Sequence, residues 1–79
     1  MEQRKHWWNG KWGRLGRKDV YLRVSGDQWY VEQRTGGGDG VSHFFEFDGE
    51  DAALDTVRAL LAGPDDEWRE LSVRPSSSF

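Results

Sequence analysis

Apolar and polar positions alternate along the first half of the chain, which is the pattern of β-strands that bury one face. The segment 19–24 alternates cleanly and places its apolar residues on one side: Val20, Leu22 and Val24. Segments 29–34 and 43–47 are rich in aromatic and β-branched residues and flank a glycine-dense stretch, which predicts a β-hairpin with a long loop. A tight turn over 25–28 joins the first two strands, so the three strands form an antiparallel meander.

The pattern changes to the period of a helix after residue 47. Asp48 is the expected N-cap, with acidic residues in the first turn to suit the helix dipole. The apolar positions that follow form one stripe: Ala53, Leu54, Val57, Leu60 and Leu61. Gly63 and Pro64 are expected to end the helix, and residues 68–73 to form a short last strand. The fold class is therefore predicted as α+β, an antiparallel β-meander of three to four strands with one α-helix packed on one face.

The chain is expected to form a single domain with two short terminal segments. Residues 1–18 are predicted as a basic, tryptophan-rich arm or short hairpin around Asn9-Gly10, the preferred type I′ turn. Residues 19–73 are predicted as the α+β domain, and residues 74–79 have the composition of a disordered tail. The predicted core consists of Leu22, Val24, Trp29, Val31, Phe45, Phe47, Leu54, Val57 and Leu61.

Length and composition exclude several classes of function. A chain of 79 residues forms a modest core and leaves little room for a deep catalytic cleft, so we expect a protein that is not an enzyme. The chain has no cysteine, which excludes a thiolate metal site and is compatible with a cytoplasmic location. No apolar run is long enough for a membrane span, and residues 1–10 lack the apolar stretch of a secretory signal, so neither is expected. Neither His6 nor His43 has a partner at diagnostic spacing, so no metal or cofactor is expected.

Charge is distributed unevenly along the chain, whose net charge is -3. Residues 1–34 carry eight Lys or Arg and four Asp or Glu, a net charge of +4. Residues 35–79 carry three Lys or Arg and ten Asp or Glu, a net charge of −7. The basic half could contact a polyanion or the acidic half of another copy, and folding could also bring the two halves together.

The first candidate site lies in the basic half, where cations alternate with indoles. Basic side chains neutralise phosphates and indoles stack on bases, a combination typical of single-strand nucleic-acid binding. The candidate nucleic-acid-binding residues are Arg4, Lys5, Trp7, Trp8, Lys11, Trp12, Arg14, Arg17 and Lys18. The alternative is that the three tryptophans belong to the core, because burial is the usual fate of tryptophan in a small protein.

The second candidate site is the outward face of the predicted sheet, formed by Tyr21, Arg23, Tyr30, Arg34 and Phe44. Several single-strand binders display such aromatic residues and arginines on a sheet. Two glutamates on the same face, Glu32 and Glu46, favour instead cross-strand ion pairs or a protein partner. The sequence thus predicts a small non-enzymatic binding module for nucleic acid, with a protein-interaction module or homodimer as the alternative.

Two stretches resemble the WGR domain, a small sheet-plus-helix module found beside nucleic-acid-handling enzymes. Residues 12–16, Trp-Gly-Arg-Leu-Gly, match its Trp-Gly-Arg-x-Gly signature, although about thirty residues separate them from the predicted helix. A second register, over residues 28–71, fits the layout of the family and places Glu32-Gln33-Arg34 at the signature. The resemblance implies nucleic-acid binding through Arg14 or Arg34. The chain also resembles small actinobacterial proteins of similar pattern, which implies no function.

Overall fold

The structure is a computed structural model, which describes residues 2–13, 16–36, 40–62 and 67–71. These residues form an α+β fold, which confirms the prediction. A five-stranded antiparallel sheet is covered on one face by a single helix. Its elements are β1 (Glu2–Trp8), β2 (Lys18–Ser25), β3 (Gln28–Thr35), β4 (Val41–Phe47), α1 (Glu50–Leu61) and β5 (Arg69–Leu71).

The strand order is β4-β3-β2-β1-β5, so the first four strands form a continuous meander. β5 pairs antiparallel with β1 at the edge opposite β4. Because α1 comes between β4 and β5 in the chain, the chain crosses the sheet at this point, and α1 packs over β2, β3 and β4. The segment predicted as a basic arm therefore contributes β1 to the interior of the sheet, between β2 and β5.

The core lies between α1 and the face of the sheet that the helix covers, here called the inner face. The alternating apolar residues of β2 and β3 form this face. The residues buried there are Trp7, Val20, Leu22, Val31, Ala53 and Val57. Ala53 and Val57 lie one helical turn apart, so they present one face of α1 to the sheet. A ring of half-buried side chains surrounds this centre: Trp29, Phe47, Leu54, Leu60, Leu61 and Trp68. The small side chain of Ala53 allows the helix to approach the sheet closely.

The prediction that Phe45 belongs to the core was wrong. Phe45 points to the helix side of the sheet, but β4 is an edge strand and the side chain is 37% exposed. Val24, also predicted in the core, is half-buried near the end of β2. Trp7 and Ala53 contribute to the centre of the core in their place.

The helix begins differently from the prediction. Gly49, not Asp48, is the N-cap, with extended backbone (φ −145°, ψ 155°) and no side-chain cap. Asp48 instead accepts a hydrogen bond of 3.0 Å from Gln28 Nε2, which ties the start of β3 to the chain entering the helix. Glu50 and Asp51 occupy the first turn as expected from the helix dipole. The predicted stop at residues 63–64 lies outside the described residues.

The two connections within the first three strands have different geometries. Gly26 and Asp27 form a two-residue hairpin loop between β2 and β3. Gly26 has a positive φ of 60° and Asp27 does not, which is the pattern of a type II′ turn. The predicted type I′ turn at Asn9-Gly10 was wrong, because such a turn needs positive φ at both positions and only Gly10 has it (77°). Residues 9–13 and 16–17 instead belong to a longer connection between β1 and β2.

The position of the core gives a test in the helix. Val57→Asp places an unpaired charge between α1 and the sheet, so we expect the variant to lose its cooperative thermal transition. Ala59→Asp introduces the same residue on the exposed side of α1 and should retain the transition. Phe45→Asp, at the partly exposed edge, should remain folded with a lowered melting temperature. Circular dichroism melts of the three variants check this, and a cooperative melt for Val57→Asp would contradict the core assignment.

Candidate binding surface

The face of the sheet opposite α1, here called the open face, carries aromatic and charged residues in rows across the strands. One row runs Trp8, Asp19, Arg34, Ser42, and the next runs His6, Tyr21, Glu32, Phe44. A third contains Arg23, Tyr30 and Glu46. Among the described elements, α1 covers only the other face, so these side chains must satisfy one another.

Glu32 holds together the middle of the open face. Its side chain is only 3% exposed, and its two oxygens accept hydrogen bonds from three neighbours. Arg23 Nη1 donates to Oε1 at 2.5 Å, and Arg34 Nη2 donates to Oε2 at 2.8 Å. The Ser42 hydroxyl donates to Oε2 at 2.7 Å. The two guanidinium groups therefore compensate the charge of a carboxylate that has almost no contact with solvent.

Asp19 forms a second buried carboxylate on the same face, with a side chain 1% exposed. Arg17 donates to it through Nε at 2.9 Å and through Nη2 at 3.2 Å, a bidentate pair. His6 Nε2 lies 2.8 Å from Asp19 Oδ1 and donates to the carboxylate. The Asp19 side chain thereby connects β1, β2 and the loop between them.

Both carboxylates have a lowered pKa, for the same reason. Burial raises the pKa of Asp19, but the hydrogen bonds from Arg17 and His6 outweigh burial and bring it below the ordinary 3.8. Burial likewise raises the pKa of Glu32, and the hydrogen bonds from Arg23, Ser42 and Arg34 bring it below the ordinary 4.5. Both groups are therefore ionised at neutral pH, and their negative charge fixes the arginines in place.

Tyr21 lies at the centre of the open face with both sides of its ring engaged. His6 stacks on it, with ring centroids 4.2 Å apart and an angle of 19° between the planes. The guanidinium carbons of Arg23 and Arg34 lie 4.6 Å and 5.3 Å from the Tyr21 ring centroid. Burial, followed by the nearby charge of Asp19, raises the pKa of the phenol above its ordinary 10.0. Tyr21 therefore belongs to the internal network and does not offer a free stacking surface.

One end of the open face carries a cluster of two indoles and one guanidinium, here called the Trp12 corner: Trp8, Trp12 and Arg17. The indoles meet edge to face, with centroids 4.6 Å apart and an angle of 60°. Arg17 lies over both, 5.6 Å from the Trp8 ring and 5.3 Å from the Trp12 ring. Trp8 Nε1 also donates to the Lys11 carbonyl at 2.8 Å. Trp12 nevertheless remains 73% exposed, so a large part of an ordered indole is open to solvent.

Asn9 fixes the loop that carries Trp12. This side chain is buried and binds three backbone groups of the loop. Its Nδ2 donates to the Gly16 carbonyl at 2.7 Å, and its Oδ1 accepts from the backbone N–H groups of Lys18 at 2.9 Å and Lys11 at 3.3 Å. Gly10 follows with positive φ, and a Cβ there would come within 3.2 Å of the Glu67 carbonyl, so the loop also lies against the chain that enters β5.

The predicted nucleic-acid-binding residues do not form one surface. Trp7 lies in the core, while its neighbour Trp8 points to the open face. Arg4 pairs with Glu2 at 2.7 Å and Lys5 with Glu70 at 3.5 Å, both as exposed pairs.

Three of the remaining predicted residues lie close together, since Lys11, Trp12 and Arg17 belong to one loop with Trp8 beside it. Lys18 lies on the helix side of β2, in phase with Val20, and Arg14 lies outside the described residues.

The predicted sheet-face residues do share one face, but most of them bind neighbouring side chains on that face. Arg23 and Arg34 bind Glu32, Tyr21 lies between them and His6, and Tyr30 is half-buried. Phe44, 67% exposed, extends this face to the edge of the sheet.

The residues that organise this surface were not predicted from the sequence. The sequence pattern predicts Asp19 only as the start of a strand and Asn9 as part of a turn, and it predicts no partner for His6. The period-two alternation of His6 with Trp8, and of Asp19 with Tyr21 and Arg23, was the available signal. It places all five on one face once the first segment is recognised as a strand of the sheet.

Comparison with known proteins adds no relative: no protein-family model, no curated protein and no solved structure matches this chain. Across the described ranges, no group of three or more His, Asp or Glu side chains is placed to hold a metal ion. No helix in this part of the chain is long and apolar enough to cross a membrane.

The role of Asn9 gives a prediction about stability. Asn9→Ala leaves the Gly16 carbonyl and two backbone N–H groups without their partner, which should lower the free energy of unfolding by about 1–3 kcal/mol. Urea unfolding followed by circular dichroism measures this. Ser25→Ala, which changes an exposed polar side chain at the end of β2, is the control and should change the free energy by less than about 0.5 kcal/mol. Equal effects of the two substitutions would contradict the role given to Asn9.

The two carboxylates give a prediction about pH. Because the folded pKa of Asp19 and of Glu32 lies below the unfolded value, their contribution to stability is complete above about pH 5 and is lost as the pH falls through the folded values. Glu32→Gln should lower stability at pH 7 and make the loss of stability between about pH 5 and pH 3 shallower. Midpoints of urea unfolding measured across this pH range test the prediction. Asp27→Asn, which changes a carboxylate in an exposed turn, is the control. A pH dependence that is identical in Glu32→Gln and the unmodified chain would refute it.

Proposed function

We propose that this protein is a small, non-enzymatic, cytoplasmic binding module for single-stranded nucleic acid, with the Trp12 corner as its primary contact. An unpaired base would stack on the exposed indole of Trp12. Arg17, fixed by Asp19, would lie beside the base, and the Lys11 ammonium would contact the adjoining phosphate. The WGR resemblance implies the same class of ligand, although it implies Arg14 or Arg34 as the contact.

The observation that supports this proposal is the exposure of Trp12. An indole that is 73% exposed stabilises the fold little through burial. Trp12 is nevertheless held against Trp8 and Arg17, so little side-chain entropy remains to be lost on binding. An ordered aromatic surface with cations beside it is the arrangement by which single-strand binders stack bases, at about 1–3 kcal/mol per base.

The charges of the open face indicate a ligand held more by stacking than by phosphate contacts. Arg23 and Arg34 both bind Glu32, which offsets one of their two positive charges, and Arg17 is paired with Asp19. Among the described residues, the cations at this end of the open face are Lys11 and Arg17, and Arg17 is already paired with Asp19, so we expect the ligand to engage at most about two phosphates. At about −0.7 per phosphate for a single strand, the logarithm of the association constant should fall against the logarithm of salt with a slope no steeper than about −1.4. A fully paired duplex offers no free base faces and should bind less well.

A titration of fluorescently labelled oligothymidine, followed by anisotropy at two salt concentrations, tests the proposal. Trp12→Ala should weaken binding by about 5- to 140-fold, because one base stack is lost. Trp12→Phe, which keeps a smaller ring, should weaken it less. Arg17→Lys keeps the charge but loses the planar group that lies over the indoles, and should also weaken binding.

Val41→Ala is the control, since Val41, 65% exposed, is another exposed apolar residue but lies outside the Trp12 corner. It should bind like the unmodified chain. The proposal fails if no oligonucleotide binds, or if Trp12→Ala and Val41→Ala have the same affinity. In either case the exposed indole would be better explained as the anchor of a protein partner, because tryptophan and arginine are the usual anchors of protein interfaces.

A further inference from the structure

β4 is an edge strand with few of the features that usually protect a free edge, since Glu46 is its only carboxylate. It pairs with β3 from Val41 to Phe47 with no bulge, and its seven residues include no proline, lysine or arginine. Val41 is 65% exposed and Phe44 67% exposed. The opposite edge, β5, is only three residues long and carries Arg69. Long, flat, apolar edges are normally covered, because their free N–H and C=O groups pair readily with another strand.

Symmetry restricts how two copies of such an edge can pair. Residues directly opposite each other in an antiparallel pair point to the same face of the sheet. A two-fold axis between two identical strands must therefore run perpendicular to the sheet and pass through one residue position. Each even-numbered residue then faces an even-numbered residue of the other copy, and each odd-numbered residue faces an odd-numbered one. The helices of both copies therefore lie on the same side of a ten-stranded sheet.

Only the axis at Phe44 pairs all seven residues of β4 with all seven of the other copy. Val41 then faces Phe47, and His43 faces Phe45, which covers the part of Phe45 left exposed at the edge. Phe44 faces Phe44 of the other copy, and an aromatic pair in this position stabilises the pairing of two strands.

The same register also matches charges across the two copies. Glu46 faces Ser42 of the other copy, and Ser42 is itself opposite Arg34 in the β3–β4 pair. Arg34 Nε lies 3.3 Å from Ser42 Oγ, so the carboxylate of Glu46 would approach a guanidinium group that sits next to the edge. The two-fold symmetry produces the same contact a second time in the dimer. No register through a neighbouring residue both pairs the whole strand and places Glu46 in the row of Arg34.

We propose that two copies of this chain associate through β4, in antiparallel register about Phe44, to form one continuous ten-stranded sheet. This interface is separate from the Trp12 corner, which lies on the loop between β1 and β2. A dimer would carry two Trp12 corners, one on each side of the two-fold axis and both on the same face of the sheet.

Sedimentation equilibrium over a range of concentrations measures the association. The unmodified chain should reach a mass of twice 9.1 kDa. Phe44→Lys brings two ammonium groups together on the axis and should weaken the dimer at least tenfold while keeping a cooperative melt. Trp12→Ala should leave the association unchanged. A monomer at every concentration, or a dimer unaffected by Phe44→Lys, would overturn the proposal, the first outcome leaving the edge to an extended segment of a different protein.

Disulfide trapping tests the register in a chain that has no cysteine of its own. Residues facing each other in an antiparallel pair have Cα atoms about 4.5–5.5 Å apart, which a disulfide can span, so Phe44→Cys should form a covalent dimer under mild oxidation. Glu46→Cys is the matched control on the same face of the same strand. The two introduced cysteines, one in each chain, would lie four residues apart along the strands, about 13 Å, and should not crosslink. Crosslinking of Glu46→Cys equal to that of Phe44→Cys would overturn the register.

Discussion

A single helix can cover only one face of a five-stranded sheet, and this constraint determines the rest of the structure. On the inner face, Val20, Leu22 and Val31 pack against Ala53 and Val57 and exclude water. The open face has no such cover among the described elements. It is closed by its own side chains, through buried carboxylates that each hold cationic neighbours across the strands. The same sheet therefore has an apolar side and a side stabilised by charge-assisted hydrogen bonds.

This arrangement determines which groups remain available to a ligand. The guanidinium groups of Arg23 and Arg34 compensate Glu32, and Tyr21 is enclosed between them and His6. Their role on the open face is to hold the strands in register. The aromatic surface left over is at the two ends of the face. Trp12 at one end is suited to a planar ring, and Phe44 at the other lies on a strand edge suited to a second strand.

The fold could be predicted from the sequence because its signals are local. Alternation in β2, the Gly26 turn and the apolar stripe of α1 each depend on residues close together in the chain. The arrangement of the candidate binding surface could not be predicted in the same way. Trp7 and Trp12 are the same residue type in the same basic segment, and only pairing of β1 with β2 makes one a core residue and leaves the other exposed. Asp19 finds His6 across that same pair, at a separation no short-range pattern encodes.

The most direct test of the binding surface is a ¹⁵N NMR spectrum of the indole N–H groups during titration with an unlabelled single-stranded oligonucleotide. The chain has five tryptophans, so five signals report on five positions. The signals of Trp12 and Trp8 should move with the ligand, while those of Trp7, Trp29 and Trp68, all on the helix side of the sheet or beside its core, should stay in place. Movement of the core signals with no change at Trp12, or no movement at all, would contradict the assignment of the Trp12 corner as the binding site.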